Sequence, residues 1–220
     1  MEYYYSFFGI IFLKLSRNAK GEENMNFKES KTCENLMRAF AGESQARNRY
    51  TFAAGIAEKN NEYVVAGVFK YTADQEKEHA EVFYNLLQEC AGETIHIDGG
   101  YPVDISNNVT ELLKKARHNE YEEFEDVYPE FANVAKEEGY HNVAAKFSQI
   151  AKIEKIHGDR FARLAELLES GKMYLSDVET KWMCLNCGNV INAKGVPEVC
   201  PVCDHNKGYF IRMEFSPYED

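Results

Sequence analysis

Residues 74–83, DQEKEHAEVF, and residues 150–164, IAKIEKIHGDRFARL, decide how this chain is read. Each holds a glutamate three residues ahead of a histidine: Glu76 with His79, and Glu154 with His157. An i, i+3 pair lies on one face of a helix. Glu43 stands 33 residues before Glu76, Glu120 stands 34 before Glu154, and Glu123 follows Glu120 by one turn. All seven fall in phase with apolar residues at helical spacing: Ala39 and Ala46 about Glu43, Ala73 and Phe83 about the first pair, Ala116 and Val127 about Glu120, Ile150 and Phe161 about the second pair. A carboxylate buried on such a face without a partner costs several kcal/mol or takes up a proton. Seven such groups on four helices point to a pair of metal ions. Two carboxylate-histidine helices facing two further carboxylate helices is the ligand rule of ferritin-like di-iron bundles.

Working outward, the periodicity predicts helices over 31–59, 62–90, 107–136 and 141–169. Pro129 is expected to bend the third, because it deletes a backbone hydrogen bond. Residues 91–106 form a connection long enough to run the length of a bundle. The two halves repeat weakly, each a glutamate helix followed by an E-x-x-H helix. After Ser170 the helical pattern stops. Cys184-x-x-Cys187 and Cys200-x-x-Cys203 then form a four-thiolate signature for one tetrahedral ion, in a segment too small to build its own core. The fold expected is all-α, a four-helix ferritin-like bundle with a long crossover, followed by a small metal-stapled domain. The divisions are 1–24 as an extension outside the native fold, 25–172 as the di-metal bundle, and 173–220 as the four-thiolate domain. The bundle core is expected to draw on nothing beyond Gly171.

Composition bounds the function. The chain has 220 residues and a formal charge of −11, which repels nucleic acid and anionic membrane. The aromatic and apolar run 3–15 is shorter than the ~20 residues needed to span a bilayer, and its positive charges follow rather than precede it. Met25 opens a segment continuous with the first helix, so residues 1–24 read as an upstream translation. Four of the six cysteines sit in the paired motifs; Cys33 and Cys90 fall on separate helical segments and read as small packing residues. A reducing cytosol, with no disulfide framework, fits best.

Mixed oxygen and nitrogen ligands suit iron or manganese better than copper or zinc. With Glu123 included, five carboxylates nearly balance two divalent irons, leaving one negative charge. Glu123 also sits among Glu122, Glu125 and Asp126, so spacing alone allows a ligand or a surface acid. The thiolate knot takes iron or zinc by spacing alone. All four of its positions are filled by protein, so it passes an electron or builds a ribbon, but binds no substrate.

Taken together, LMRAFAGESQARNRY (36–50), the two E-x-x-H stretches, NEYEEFEDVYPEFANVAKEEGY (119–140), and WMCLNCG with CPVC resemble the rubrerythrin family. The resemblance implies a peroxidase that reduces hydrogen peroxide to water. Its electrons come from an NAD(P)H-dependent donor such as a rubredoxin reductase, in a cytoplasmic homodimer or larger assembly acting in oxidative-stress defence. It implies a di-iron centre on Glu43, Glu76, His79, Glu120, Glu123, Glu154 and His157, with Glu76 and Glu154 bridging. One iron is implied to shift between Glu123 and His79. Residues 173–220 are implied to be a small rubredoxin-like metal-binding β domain, the Fe(Cys)4 domain, with a rubredoxin-type iron on Cys184, Cys187, Cys200 and Cys203, while Tyr50 and Tyr128 are implied to hydrogen-bond carboxylate ligands. Two other readings use the same residues: ferritin-like iron oxidation and sequestration, or an electron-transfer module with a structural zinc ribbon.

Overall fold

The computed structural model describes residues 26–216, so the reading of residues 1–24 as an extension lies outside the described residues. Helix α1 (Lys31–Lys59) starts where the Ser30 hydroxyl accepts from the Cys33 amide, a side-chain cap that satisfies one orphan donor. It ends at Asn60 and Asn61; Asn61 takes a left-handed φ of 60°, which asparagine tolerates better than most residues. Helix α2 (Tyr63–Leu86) returns alongside it and is followed by a 3-10 turn, Gln88–Cys90.

The crossover then carries no helix or strand until α3. It is pinned to α1 by Arg38 to Asp98 at 2.6 Å and by Arg49 to Asp104 at 2.6 Å, with Asn119 of α3 donating to the same Asp104 at 2.7 Å. Helix α5 (His141–Glu169) closes the bundle, and its bounds match those read from the sequence.

The predicted third helix is not continuous. Helix α3 (Val109–Glu122) passes through a π-helical turn, Glu123–Val127, into α4 (Tyr128–Glu137). Pro129 has no amide hydrogen and its ring crowds the carbonyl four residues back, so the backbone widens there instead of simply bending. The widening has a geometric effect. Eight residues of regular helix separate two side chains by about 80° around the axis. The π turn absorbs roughly one residue, which returns Tyr128 to the core face shared with Glu120.

The bundle core divides into two apolar layers. One contains Ala46, Tyr50, Phe69, Ala73, Leu113, Ala116 and Phe161. The other contains Leu36, Ala39, Phe83, Tyr128, Phe147, Ile150 and Ala151. The acids and histidines lie between these layers in sequence on every helix.

The C-terminal segment forms a three-stranded antiparallel sheet in the order β2-β1-β3, from β1 (Leu175–Cys184), β2 (Val190–Gly195) and β3 (Phe210–Arg212). Its interior is small: Trp182, Cys184, Cys200 and Phe210. The expectation that the bundle core ends at Gly171 is corrected here. Met173 and Ile211 are buried in the first bundle layer, with Tyr174, Met183 and Phe215 packed against it. A sheet too small to bury its own apolar residues buries them on the end of the bundle. Tyr209 stacks on Tyr63 at 4.0 Å between ring centres, and Asn206 donates to Asn61 at 3.2 Å. Gly208 lies so close to the Asn61 carbonyl that an added Cβ would overlap it. No helix among the described residues is long and apolar enough to cross a membrane.

Candidate metal centre

Six of the seven predicted residues meet in the middle of the bundle. Glu43 comes from α1, Glu76 and His79 from α2, Glu120 from α3, Glu154 and His157 from α5, and all six are buried. Potential ligand atoms of Glu43, Glu76, His79 and Glu154 lie within 4.8 Å of one another, and so do those of Glu76, Glu120, Glu154 and His157. Glu76 and Glu154 belong to both groups, which gives the site its near-symmetry. His79 Nδ1 lies 2.9 Å from Glu154 Oε1 and 3.1 Å from Glu76 Oε2. His157 Nδ1 lies 2.9 Å from Glu154 Oε2 and 3.0 Å from Glu76 Oε1. The two imidazole planes are 17° apart with centres 5.7 Å apart.

Protein partners do not satisfy this arrangement. Glu43 Oε2, Glu76 Oε1, Glu120 Oε2, both oxygens of Glu154 and His157 Nδ1 are buried and make no hydrogen bond, although the two imidazoles lie close against several of these oxygens. Native interiors leave few such atoms, and each one asks for an ion, water or proton. Six of them converging on one spot fit two cations with oxygen and nitrogen ligands.

The electrostatics agree. Burial, then the charges of neighbouring glutamates, pushes the Glu43 and Glu120 carboxyls well above the usual carboxylate range. Burial also opposes ionisation of Glu154, but the facing imidazoles of His157 and His79 outweigh it and bring Glu154 down to about 2. The histidines respond in turn. Burial disfavours their charged forms, yet the carboxylates around them raise His79 to about 9 and His157 to about 12. Without cations, the cluster gathers protons in their place.

Glu123 stands apart from the two tight groups. It is half-buried at the start of the π turn, and burial followed by the charge of Glu120 raises its carboxyl well above the usual range. Tyr50 donates to Glu120 Oε1 and Tyr128 to Glu43 Oε1. Sequence reasoning missed Gln75. His157 Nε2 donates to Gln75 Oε1 at 3.1 Å, while Arg160 reaches the same oxygen at 3.4 Å and Thr72 at 3.2 Å. Fixing the proton on Nε2 leaves Nδ1 to face the carboxylates. Its only sequence signal was its place beside Glu76, since a glutamine between an aspartate and a glutamate looks like helix surface.

The four C-terminal cysteines also meet, with their sulfurs within 4.8 Å of one another. Cys184 and Cys203 approach to 3.8 Å, as do Cys187 and Cys200. The His205 amide brings the Cys203 thiol down to about 6, which favours the thiolate a metal needs.

Comparison with known proteins covers both parts of the chain. The rubrerythrin family model matches residues 34–165, and the model for the rubredoxin-like domain of rubrerythrin matches residues 182–211. A rubrerythrin of Porphyromonas gingivalis is 44% identical over 91% of this chain and 98% of its own. The solved structure of fully reduced, all-ferrous nigerythrin superposes with a TM-score of 0.56 at 27% identity, covering 84% of this chain and 90% of that one. A Desulfovibrio desulfuricans bacterioferritin structure, at a TM-score of 0.57 and 24% identity over 64% of this chain and 82% of its own, shares the ferritin-like fold. With its buried glutamate-histidine cluster for two irons and its four-cysteine site for a rubredoxin-type iron, the chain belongs to the rubrerythrin family.

Proposed function

We propose that this protein is a non-haem di-iron peroxidase that reduces hydrogen peroxide to water in oxidative-stress defence. Glu43, Glu76, His79, Glu120, Glu154 and His157 would hold the two irons, Glu76 and Glu154 being shared by both groups of ligand atoms, and Glu123 would add a further carboxylate. Cys184, Cys187, Cys200 and Cys203 would hold the third iron. When bound, the iron pair supplies both electrons needed to break the O–O bond. The protein's own groups supply the rest. The apolar layers on either side limit water, and the bound carboxylates balance the cation charge.

Tyr50 and Tyr128 stay protonated, because burial and then the adjacent carboxylates push both phenols well above their ordinary value. Each therefore keeps a donor on the Glu120 and Glu43 oxygens, which fixes those carboxylates in place. His79 and His157, each against Glu76 and Glu154, would be the groups able to relay a proton within the site. Electrons would come from NAD(P)H through a separate reductase and then the thiolate centre. That centre docks at the start of α2, and Glu76 lies 13 residues further along that helix, about 20 Å. A second copy of the chain would shorten the route if its own thiolate centre faced this bundle.

The observation carrying this reading is the set of partnerless buried ligand atoms in a chain that also holds a closed four-thiolate site. A sequestration protein would gain little from the second. The test is anaerobic single turnover of the all-ferrous protein with peroxide and, separately, with dioxygen. Oxidation by peroxide at least ten-fold faster than by dioxygen is expected, and the reverse order would favour iron oxidation and storage. In Cys184→Ser, one stoichiometric peroxide reduction should survive while steady-state turnover with NADH and a reductase fails. Undiminished turnover would remove the relay role from the thiolate centre.

A further inference from the structure

Cys33 and Cys90, 57 residues apart in sequence, meet in the fold with their sulfurs 3.4 Å apart. Cys33 is in the first turn of α1, where its amide donates to the Ser30 cap, and Cys90 ends the 3-10 turn after α2. Both are buried in the second apolar layer. Their separation is roughly 1.4 Å longer than a covalent S–S bond. The sequence reading treated them as unrelated packing residues, and nothing in the peroxidase reading uses them.

We propose that Cys33 and Cys90 form a reversible disulfide when the protein meets excess hydrogen peroxide, closing the open end of the α1–α2 hairpin. The other end of that hairpin is already closed by the Asn60–Glu62 turn, and the two helices carry Glu43, Glu76 and His79. The bond would hold that half of the metal site in register while the irons are oxidised or absent.

The chemistry balances with peroxide as the oxidant. The Cys90 sulfur attacks one peroxide oxygen, the O–O bond breaks, and the departing hydroxide leaves as water with the Cys90 proton. Cys33 then attacks the Cys90 sulfur, the S–S bond forms, the S–O bond breaks, and a second water leaves with the Cys33 proton. The two thiols lose two electrons and peroxide gains them. Cys90 is the one to react first. It is the more exposed at 5% against 1%, and burial followed by contact with Cys90 holds the Cys33 thiol up to about 12. Part of the cover is the 3-10 turn Phe27–Glu29, with Phe27 edge-on to Tyr140 at 5.2 Å and Lys28 on Glu93 at 2.5 Å. Peroxide is barely larger than water and needs only a small opening.

The experiment uses the iron-loaded full-length chain, treated with excess hydrogen peroxide without reductant, quenched with acid, unfolded and alkylated. Peptide mapping should find the Cys33 and Cys90 peptides linked, two hydrogens lighter, and separated again by dithiothreitol. Oxidation should raise the melting temperature by roughly 5–15 °C, and the rise should vanish in Cys33→Ser and in Cys90→Ser. Recovery of both cysteines as free alkylated thiols, or their separate conversion to sulfinic acids, would overturn the proposal without touching the di-iron reading. Should either variant fold poorly, equilibration of the unmutated protein in dithiothreitol redox buffers decides the matter. The linked fraction must follow the oxidised-to-reduced ratio, and a fraction fixed at zero is the negative result.

Discussion

Emptying the di-iron site should invert the protein's response to pH. In the metal-free bundle, His79 sits at about 9 rather than its ordinary value near 6.5. A group raised in the folded state contributes stability that is fully present below its unfolded value and is lost as pH climbs through the folded one. For His79 the window runs from about 6.5 to 9, and the shift corresponds to about 3 kcal/mol. The raised carboxyls of Glu43, Glu120 and Glu123 act in the same direction, because they too bind protons more readily folded than unfolded. Only Glu154, held near 2, has the opposite sign, and its contribution is lost below the ordinary carboxylate range.

The metal-free bundle should therefore lose about 6–12 °C of melting temperature between pH 6.5 and 9 from His79 alone. Iron displaces these protons, so its affinity rises with pH and the gap between loaded and metal-free melts should widen over the same range. The assay is helical circular dichroism on chelator-treated protein whose thiolate iron is retained, as judged by its visible colour. Keeping that iron avoids titrating Cys203. A metal-free melting temperature that is flat or rising from pH 6.5 to 9 would refute the proton-for-metal account.

Three further outcomes are expected. Tyr128→Phe removes the donor to Glu43 and should weaken iron binding by about 10–100-fold in chelator competition, with the helical signal unchanged; unchanged affinity would show that the phenol only packs. Gly208→Ala forces a Cβ into the Asn61 carbonyl and should cost about 1–3 kcal/mol, seen as a lower melting temperature and faster proteolysis near residues 170–174, with the Fe(Cys)4 spectrum intact; an unaltered digestion pattern would mean that the contact yields without undocking the sheet. Glu123→Ala should slow peroxide turnover more than it lowers iron content, since six buried site residues remain; equal kinetics would make Glu123 a bystander of the site.

The sequence was legible where one local signal dominated. Helices α1 and α5 could be bounded to the residue, because Ser30, the Asn60–Asn61 turn and Gly171 punctuate long periodic stretches. The meeting of the six buried acids and histidines was legible because such groups on apolar stripes conflict with burial unless they face one another or a cation. The π turn was not, since Pro129 announces a disturbance but not its form. Gln75 was hidden because its partner lies 82 residues away on another helix. The Cys33–Cys90 approach and the docking of Met173 and Ile211 into the bundle were equally out of reach, since each depends on elements that only the assembled fold brings together.

The π turn also accounts for an oddity of arithmetic in the chain. The spacing from Glu43 to Glu76 is 33 residues and that from Glu120 to Glu154 is 34. The two helical hairpins otherwise agree: Glu76 and Glu154 each lie 13 residues into their helices, and the joining turns, 60–62 and 138–140, are equally long. The single surplus residue therefore falls between Glu120 and Glu137, in the stretch that contains the π turn. The two weakly repeated hairpins differ by one residue in this stretch, and their likeness ends there. One turn after its glutamate, the first hairpin has Ala46, while the second has Glu123. A duplicated scaffold would give two equivalent metal positions. Here the two halves are unequal, because only the second hairpin carries a further carboxylate, Glu123, one turn beyond its first.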